Sequence, residues 1–137
     1  MRRVNPEVTI LNEASATGWG DARGASDARH SIVTVASSGV GAGETITYRM
    51  AVSNSETAPT FSSAASNTNR WSYTRFRDMA TGTLYKGDGS GDSISTSNEV
   101  IRYAIEEDNY KWININVTVF TGTATISAYL STANDTE

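Results

Sequence analysis

Between Tyr110 and Leu130 apolar and polar positions alternate in two successive runs. In the first, Ile113, Ile115, Val117 and Val119 share one side, and Trp112, Asn114, Asn116, Thr118 and Phe120 share the other. In the second, Ala124, Ile126, Ala128 and Leu130 oppose Thr123, Thr125, Ser127 and Tyr129. Side chains along a strand point alternately to opposite faces, so a period of two predicts strands with one dry and one wet face. Thr and aromatic residues on the wet side suit a pleated surface. The Thr121-Gly122 step between the runs reads as the turn of an antiparallel hairpin.

The same pattern recurs upstream. Residues 30–37 form a strand that ends at Ser38-Gly39 and the Gly41-Ala42-Gly43 turn. From Glu44 to Ser53, Ile46, Tyr48, Met50 and Val52 alternate with Thr45, Thr47, Arg49 and Ala51. From Arg70 to Met79, Trp71, Tyr73, Arg75 and Arg77 fall opposite Ser72, Thr74 and Phe76, and from Val100 to Ile105 the residues Ile101, Tyr103 and Ile105 share a face. Shorter strands are predicted at residues 8–11 and 83–85. Residues 12–28, which include Trp19, read as a long loop, and residues 54–69, which include Pro59 and Phe61, as a second one. A loop of that length in a small domain is usually functional or mobile. The pattern predicts no helix and no repeat.

About eight short strands divided by turns predict an all-β, antiparallel two-sheet β-sandwich, jelly-roll-like, with long loops. Its expected core is Val33, Val35, Ile46, Tyr48, Met50, Val52, Ile101, Tyr103, Ile113, Ile115, Val117, Val119, Ile126 and Leu130. The 137 residues are expected to form a single domain, with residues 1–7 an N-terminal arm and 131–137 a polar tail.

Charge and composition narrow the function classes. A net charge of −4 argues against nucleic-acid binding through a basic surface. With no cysteine, neither a disulfide nor a thiolate metal site can form. No apolar run approaches the roughly 20 residues that span a bilayer, and no apolar segment follows Met1-Arg2-Arg3 as a secretory signal requires. Ser and Thr make up about a quarter of the chain, a composition of strands and turns.

Candidate chemistry is sparse. His30 is the single histidine, so a multi-histidine metal centre cannot be built, and no Gly-x-Ser-x-Gly pattern marks a serine nucleophile. Asp88 and Asp92 in the Gly87–Asp92 stretch lack the spacing and closing Glu of a calcium loop and read as a turn. Glu106, Glu107 and Asp108 are consecutive, which suits a solvated turn and not two carboxylates facing each other across a sugar. Asn116-Val117-Thr118 and Asn134-Asp135-Thr136 match glycosylation acceptors, read as coincidental without export. No catalytic residue, metal site or cofactor is expected, and the chain is read as a non-enzyme. The aromatic residues Trp71, Tyr73, Trp112, Phe120 and Tyr129 leave three readings open: a second packed layer under the loops, a protein contact, or a surface that stacks on sugars. Arg70, Arg75 and Arg77 form the densest basic group, read as cross-strand charge pairing or as an interface.

Several stretches together, Thr17-Gly18-Trp19-Gly20, residues 29–35, residues 51–55 and the run 110–130 with its Thr121-Gly122-Thr123-Ala124-Thr125 turn, resemble small β-sandwich structural proteins of tailed bacteriophages. The resemblance implies a capsid decoration or cement protein that binds the major capsid protein, or another virion protein, and stabilises the head. It implies a virion location on the capsid surface, synthesis in the host cytoplasm, and a homo-oligomer, by analogy a trimer. The alternatives are a tail, neck or fibre module, or a carbohydrate-binding module for host recognition. Partner contacts are expected from Arg2 and Arg3 on the arm and from Phe61, Trp71, Tyr73, Arg75 and Arg77, with no nucleic acid and no membrane among the partners.

Overall fold

The computed structural model describes residues 2–25, 30–106 and 110–135, with the side chains of 2–4 and 134–135 left aside. Every regular element among them is a strand: β1 (Arg2–Val4), β2 (Val8–Ala14), β3 (Gly18–Trp19), β4 (Arg23–Gly24), β5 (His30–Ser38), β6 (Thr45–Ser53), β7 (Ser72–Thr74), β8 (Phe76–Asp78), β9 (Leu84–Tyr85), β10 (Asp92–Ser95), β11 (Val100–Ile105), β12 (Trp112–Phe120) and β13 (Thr125–Asp135). All pairings between them are antiparallel.

Two sheets pack face to face. The first runs β2-β13-β5-β11 and continues through β8 to β9, with β1 also lying along β13. In the second, β6 and β12 form the centre, β10 and β7 share the outer edge of β6, and β3 and β4 share the outer edge of β12. This is the strand order of a jelly roll, with the β3/β4 and β7/β10 positions each split in two and β1, β8 and β9 added.

The jelly roll corrects one expectation. β12 and β13 are not a hairpin: β12 pairs with β6, and β13 pairs with β5 and β2 in the opposite sheet. Both runs have a dry face because they approach the same core from its two sides, so alternation alone could not separate an arch between sheets from a hairpin within one. The β5–β6 connection crosses between the sheets at the same end, and Glu44 stitches the two crossovers together. Its Oε1 accepts from the Gly41 N–H at 2.8 Å and its Oε2 from the Thr123 N–H at 3.2 Å.

The core lies between the sheets. Val33, Val35, Ile46, Tyr48, Met50, Tyr103, Ile113, Ile115 and Ile126 are completely buried, with Val52, Val117 and Leu130 nearly so and Ile101 packed at the margin. Each such side chain contributes about 1.5–3 kcal/mol of transfer free energy. Val119 departs from the expected core and is 45% exposed. A β-bulge between Val117 and Val119 inserts an extra residue, so the alternation flips: Val119 turns to solvent and Phe120 packs against the core.

A polar chain runs into this core. The Tyr48 and Tyr103 hydroxyls share a hydrogen bond, and the Tyr103 hydroxyl donates to Asp92 Oδ2 at 2.6 Å. Asp92 therefore anchors a buried tyrosine, while Asp88 stays exposed in the turn. Gly91 sits at φ +89°, against β6, where a Cβ would collide with the Tyr48 carbonyl. The segment expected as an arm is a strand at residues 2–4, antiparallel to residues 133–135 of the expected tail. β1 lies at the edge of the first sheet, beside the end of β13.

Candidate functional site

The outer face of the second sheet carries an aromatic cluster. On β12, Asn116 lies between Trp19 of β3 on one side and Arg49 of β6 on the other. Tyr73 of β7 sits opposite Ala51, one strand further out. The Arg49 guanidinium lies 3.4 Å from the centre of the Tyr73 ring and donates to the Gly87 carbonyl at 2.6 Å. Asn116 Nδ2 donates to the Tyr73 hydroxyl at 2.9 Å. A cation over a ring face adds about 0.5–2 kcal/mol, depending on desolvation.

The long segment from Asn54 to Arg70 folds back over this face. Phe61 is its plug, 4% exposed, with its ring 5.5 Å from Trp19 and 6.0 Å from Trp71. Trp71 meets both Trp19 and Tyr73 edge-on at 5.1 Å, and its Nε1–H donates to the Ser63 carbonyl at 2.9 Å. Asn69 braces the segment from within: its Oδ1 accepts from the Thr60 N–H and its Nδ2 donates to the Thr60 carbonyl, each at 2.8 Å. The Ser53 hydroxyl donates to the Arg70 carbonyl and fixes where the segment rejoins the sheet.

Of the residues expected at a partner contact, the fold gathers Phe61, Trp71 and Tyr73 into this cluster under the loop. Phe61 is enclosed beneath the loop. Trp71 and Tyr73 are half-buried. The chain passes from the second sheet to the first between β7 and β8, which takes Arg77 away: its Nε meets Glu106 Oε1 at 2.5 Å and its Nη1 donates to the Gly82 carbonyl at 2.8 Å. That is the cross-strand charge pairing. Arg75 is exposed at the crossing point. Arg2 and Arg3 lie in β1 by backbone, and their side chains fall outside the described residues, as do Glu107, Asp108 and the Asn134 side chain.

Two members of the cluster, Trp19 and Arg49, are absent from the sequence-derived set. Trp19 lies in a segment read as loop, yet it stands between two glycines. A Cβ at Gly20 would come within 2.6 Å of the Ile10 carbonyl. Close backbone approach beside a Trp is the signal that marks it. The remaining aromatics serve elsewhere: Trp112 Nε1 donates to the Ser55 carbonyl at 3.0 Å, and Phe120 joins the core.

Two shallow depressions open beside the cluster. One, of about 430 Å³, is bordered by Trp71, Arg70, Ser53, Ser55, Ser66 and Ser72 among others. The second, of about 580 Å³, runs along residues 55–60 and 68–70. A third, of about 430 Å³, lies on the first sheet beside the exposed Met79 and Val100.

Among solved structures, the chain is similar to the SPBc2 prophage-derived protein YomS, with a TM-score of 0.59 over 96% of this chain and 95% of that one, at 11% sequence identity. At that identity the likeness is one of fold. No protein-family model matches the chain, and no curated protein matches it in sequence.

Proposed function

We propose that this chain is a non-enzymatic structural protein of a bacteriophage virion, a decoration or cement protein that binds the major capsid protein and stabilises the head. The observation that carries the reading is the likeness to the prophage-derived YomS, which runs along nearly all of both chains. It joins the resemblance of the strand and turn sequences to phage sandwich proteins. The use of the polar side chains supports a structural role: Glu44, Asn69, Asp92 and Arg77 each brace a turn, loop or strand of the fold itself.

In this reading the chain is made in the host cytoplasm and assembles as a homotrimer on the capsid surface. Exposed positions such as Arg75 meet the capsid protein, and neither nucleic acid nor membrane is a partner. Many copies, each making a modest contact, hold the shell through their effective concentration.

The test is sedimentation of the purified chain, alone and mixed with empty capsids that lack it. Co-sedimentation at a fixed stoichiometry, with a trimer for the chain alone, is the expected result. A monomer that leaves capsids untouched overturns the decoration role, and binding to purified tails or fibres would then place the chain there.

A further inference from the structure

We propose that the trough beside Trp71 binds an oligosaccharide carrying an anionic group, with the Trp71 indole as its stacking platform and Arg70 as the anchor for the charge. The inference stands on the geometry of this face and does not depend on where the chain sits in a virion.

The trough is preformed and has the size of a ligand site. The depressions of about 430 Å³ and about 580 Å³ share Ser55 and Arg70 in their linings, so they are neighbours on this face. Small-molecule sites typically measure about 300–1,000 Å³. Asn69 holds the loop that forms the wall, so ordering that loop is no part of the binding cost.

Its chemistry selects a hydroxyl-rich ligand. Most of the wall is Ser, Thr and Asn; Ser53, Ser66, Thr68 and Asn69 are paired within the loop, and the hydroxyls of Ser55, Thr57, Thr60 and Ser72 offer neutral donors and acceptors of the kind a sugar hydroxyl can match. An apolar side chain laid there would cover these groups without pairing them, which costs free energy. Nucleic acid, which carries a charge on every nucleotide, is disfavoured because Arg70 is the single basic side chain lining the two depressions.

Trp71 supplies the apolar element. An aromatic face carries partial negative charge, which attracts the C–H hydrogens on the flat side of a pyranose ring. Trp71 is half-buried and fixed by two edge contacts at 5.1 Å and by the hydrogen bond to Ser63, so the platform is rigid while still bordering the trough.

Arg70 borders both depressions. Its Nη1 donates to the Asn67 carbonyl at 3.1 Å, and among the described residues no carboxylate pairs with it. A guanidinium presents a planar fork that fits a carboxylate or a phosphate. Display in many copies converts a weak single site into firm attachment.

The test is a titration of the ¹⁵N-labelled full chain with three probes: tri-galacturonate for a carboxylate, trehalose 6-phosphate for a phosphate, and neutral maltotriose. The expected result is saturable movement of the Trp71 indole N–H signal and of the Ser55, Ser66 and Ser72 amides by one acidic probe, at least about tenfold tighter than by maltotriose. Which acidic probe binds identifies the anionic group. Arg70→Gln removes the preference for the acidic probe, and Ser72→Tyr, which fills the trough from an exposed strand position, removes binding; in both variants the rest of the spectrum is unchanged. The proposal is overturned if no probe moves these signals, or if both variants bind as the parent does. Equal binding of maltotriose and the acidic probes removes Arg70 from recognition and overturns the anionic part.

Discussion

The carboxylate of Glu44 fills the space that a side chain at residue 122 would need. Gly122 has φ +93°, and a Cβ built on it would overlap the Glu44 carboxylate, the same group that accepts from the Gly41 and Thr123 N–H groups. The turn between β12 and β13 is thus specified twice, by its backbone conformation and by the group packed against it.

Gly122→Ala is expected to destabilise the fold by about 2–3 kcal/mol, from the unfavourable φ together with displacement of the carboxylate. Glu44→Ala is expected to cost about 1–2 kcal/mol by leaving two N–H groups without their acceptor. Because the overlap requires both residues, the double variant should lose less than the two single losses added together. Urea denaturation of the four proteins measures this coupling, and strict additivity would refute it.

Val117 and Val119 offer a paired comparison. Val117→Thr places a hydroxyl in the dry core and is expected to cost about 1–3 kcal/mol. Val119→Thr, beyond the bulge and 45% exposed, is expected to change stability by no more than about 0.5 kcal/mol. Thermal or chemical melts of the two variants decide it, and equal losses would mean that the bulge is misplaced.

Phe61→Ala tests whether the long loop is held by its plug. Removing a ring that is 4% exposed is expected to cost about 2–4 kcal/mol. The change should also shift Trp emission to the red and speed amide exchange across residues 54–71, with β5 and β13 protected as before. Uniform loss of protection over the whole sandwich would show instead that loop and core open as one unit.

Alkaline pH should weaken the fold. Burial pushes the Tyr85 hydroxyl up to about 12, with the charge of Asp92 adding to it, and burial raises Tyr48 and Tyr103 as well. An unfolded tyrosine ionises near pH 10. Above that pH the unfolded chain has shed protons that the folded chain still holds, so stability is full below about pH 10 and declines as pH rises through about 12. Phenolate absorbance and near-ultraviolet circular dichroism, followed together, should report ionisation of these tyrosines and loss of packing in one step. Early ionisation of all the tyrosines in an intact fold would contradict the enclosed network.

Much of this fold is legible in the residues. The alternation in β5, β6, β11 and β13 names the core positions correctly, because each of those strands has one face against the opposite sheet. Three features escape the pattern for separate physical reasons. The β12–β13 connection is ambiguous because a jelly roll places successive strands in opposite sheets with equally dry faces. Val119 and Phe120 exchange sides because a bulge adds a residue that no periodicity records. Phe61 and Trp19 come together through tertiary folding of two irregular segments, so neither carries a repeating neighbour to reveal it. For the candidate site, Trp71 and Arg70 stand out by residue type, whereas the trough beside them depends on how Asn69 folds the loop.

The position of β13 also sets when this molecule can form during synthesis. It is the last strand of the fold, yet it lies between β2 and β5, strands made near the beginning. Until it leaves the ribosome, the facing edges of β2 and β5 have no partner and the buried sides of β6 and β12 have only half a cover. The sandwich therefore cannot close before β13 is made, and a translation product that stops short of residue 125 carries exposed strand edges of the kind that chaperones hold and proteases remove.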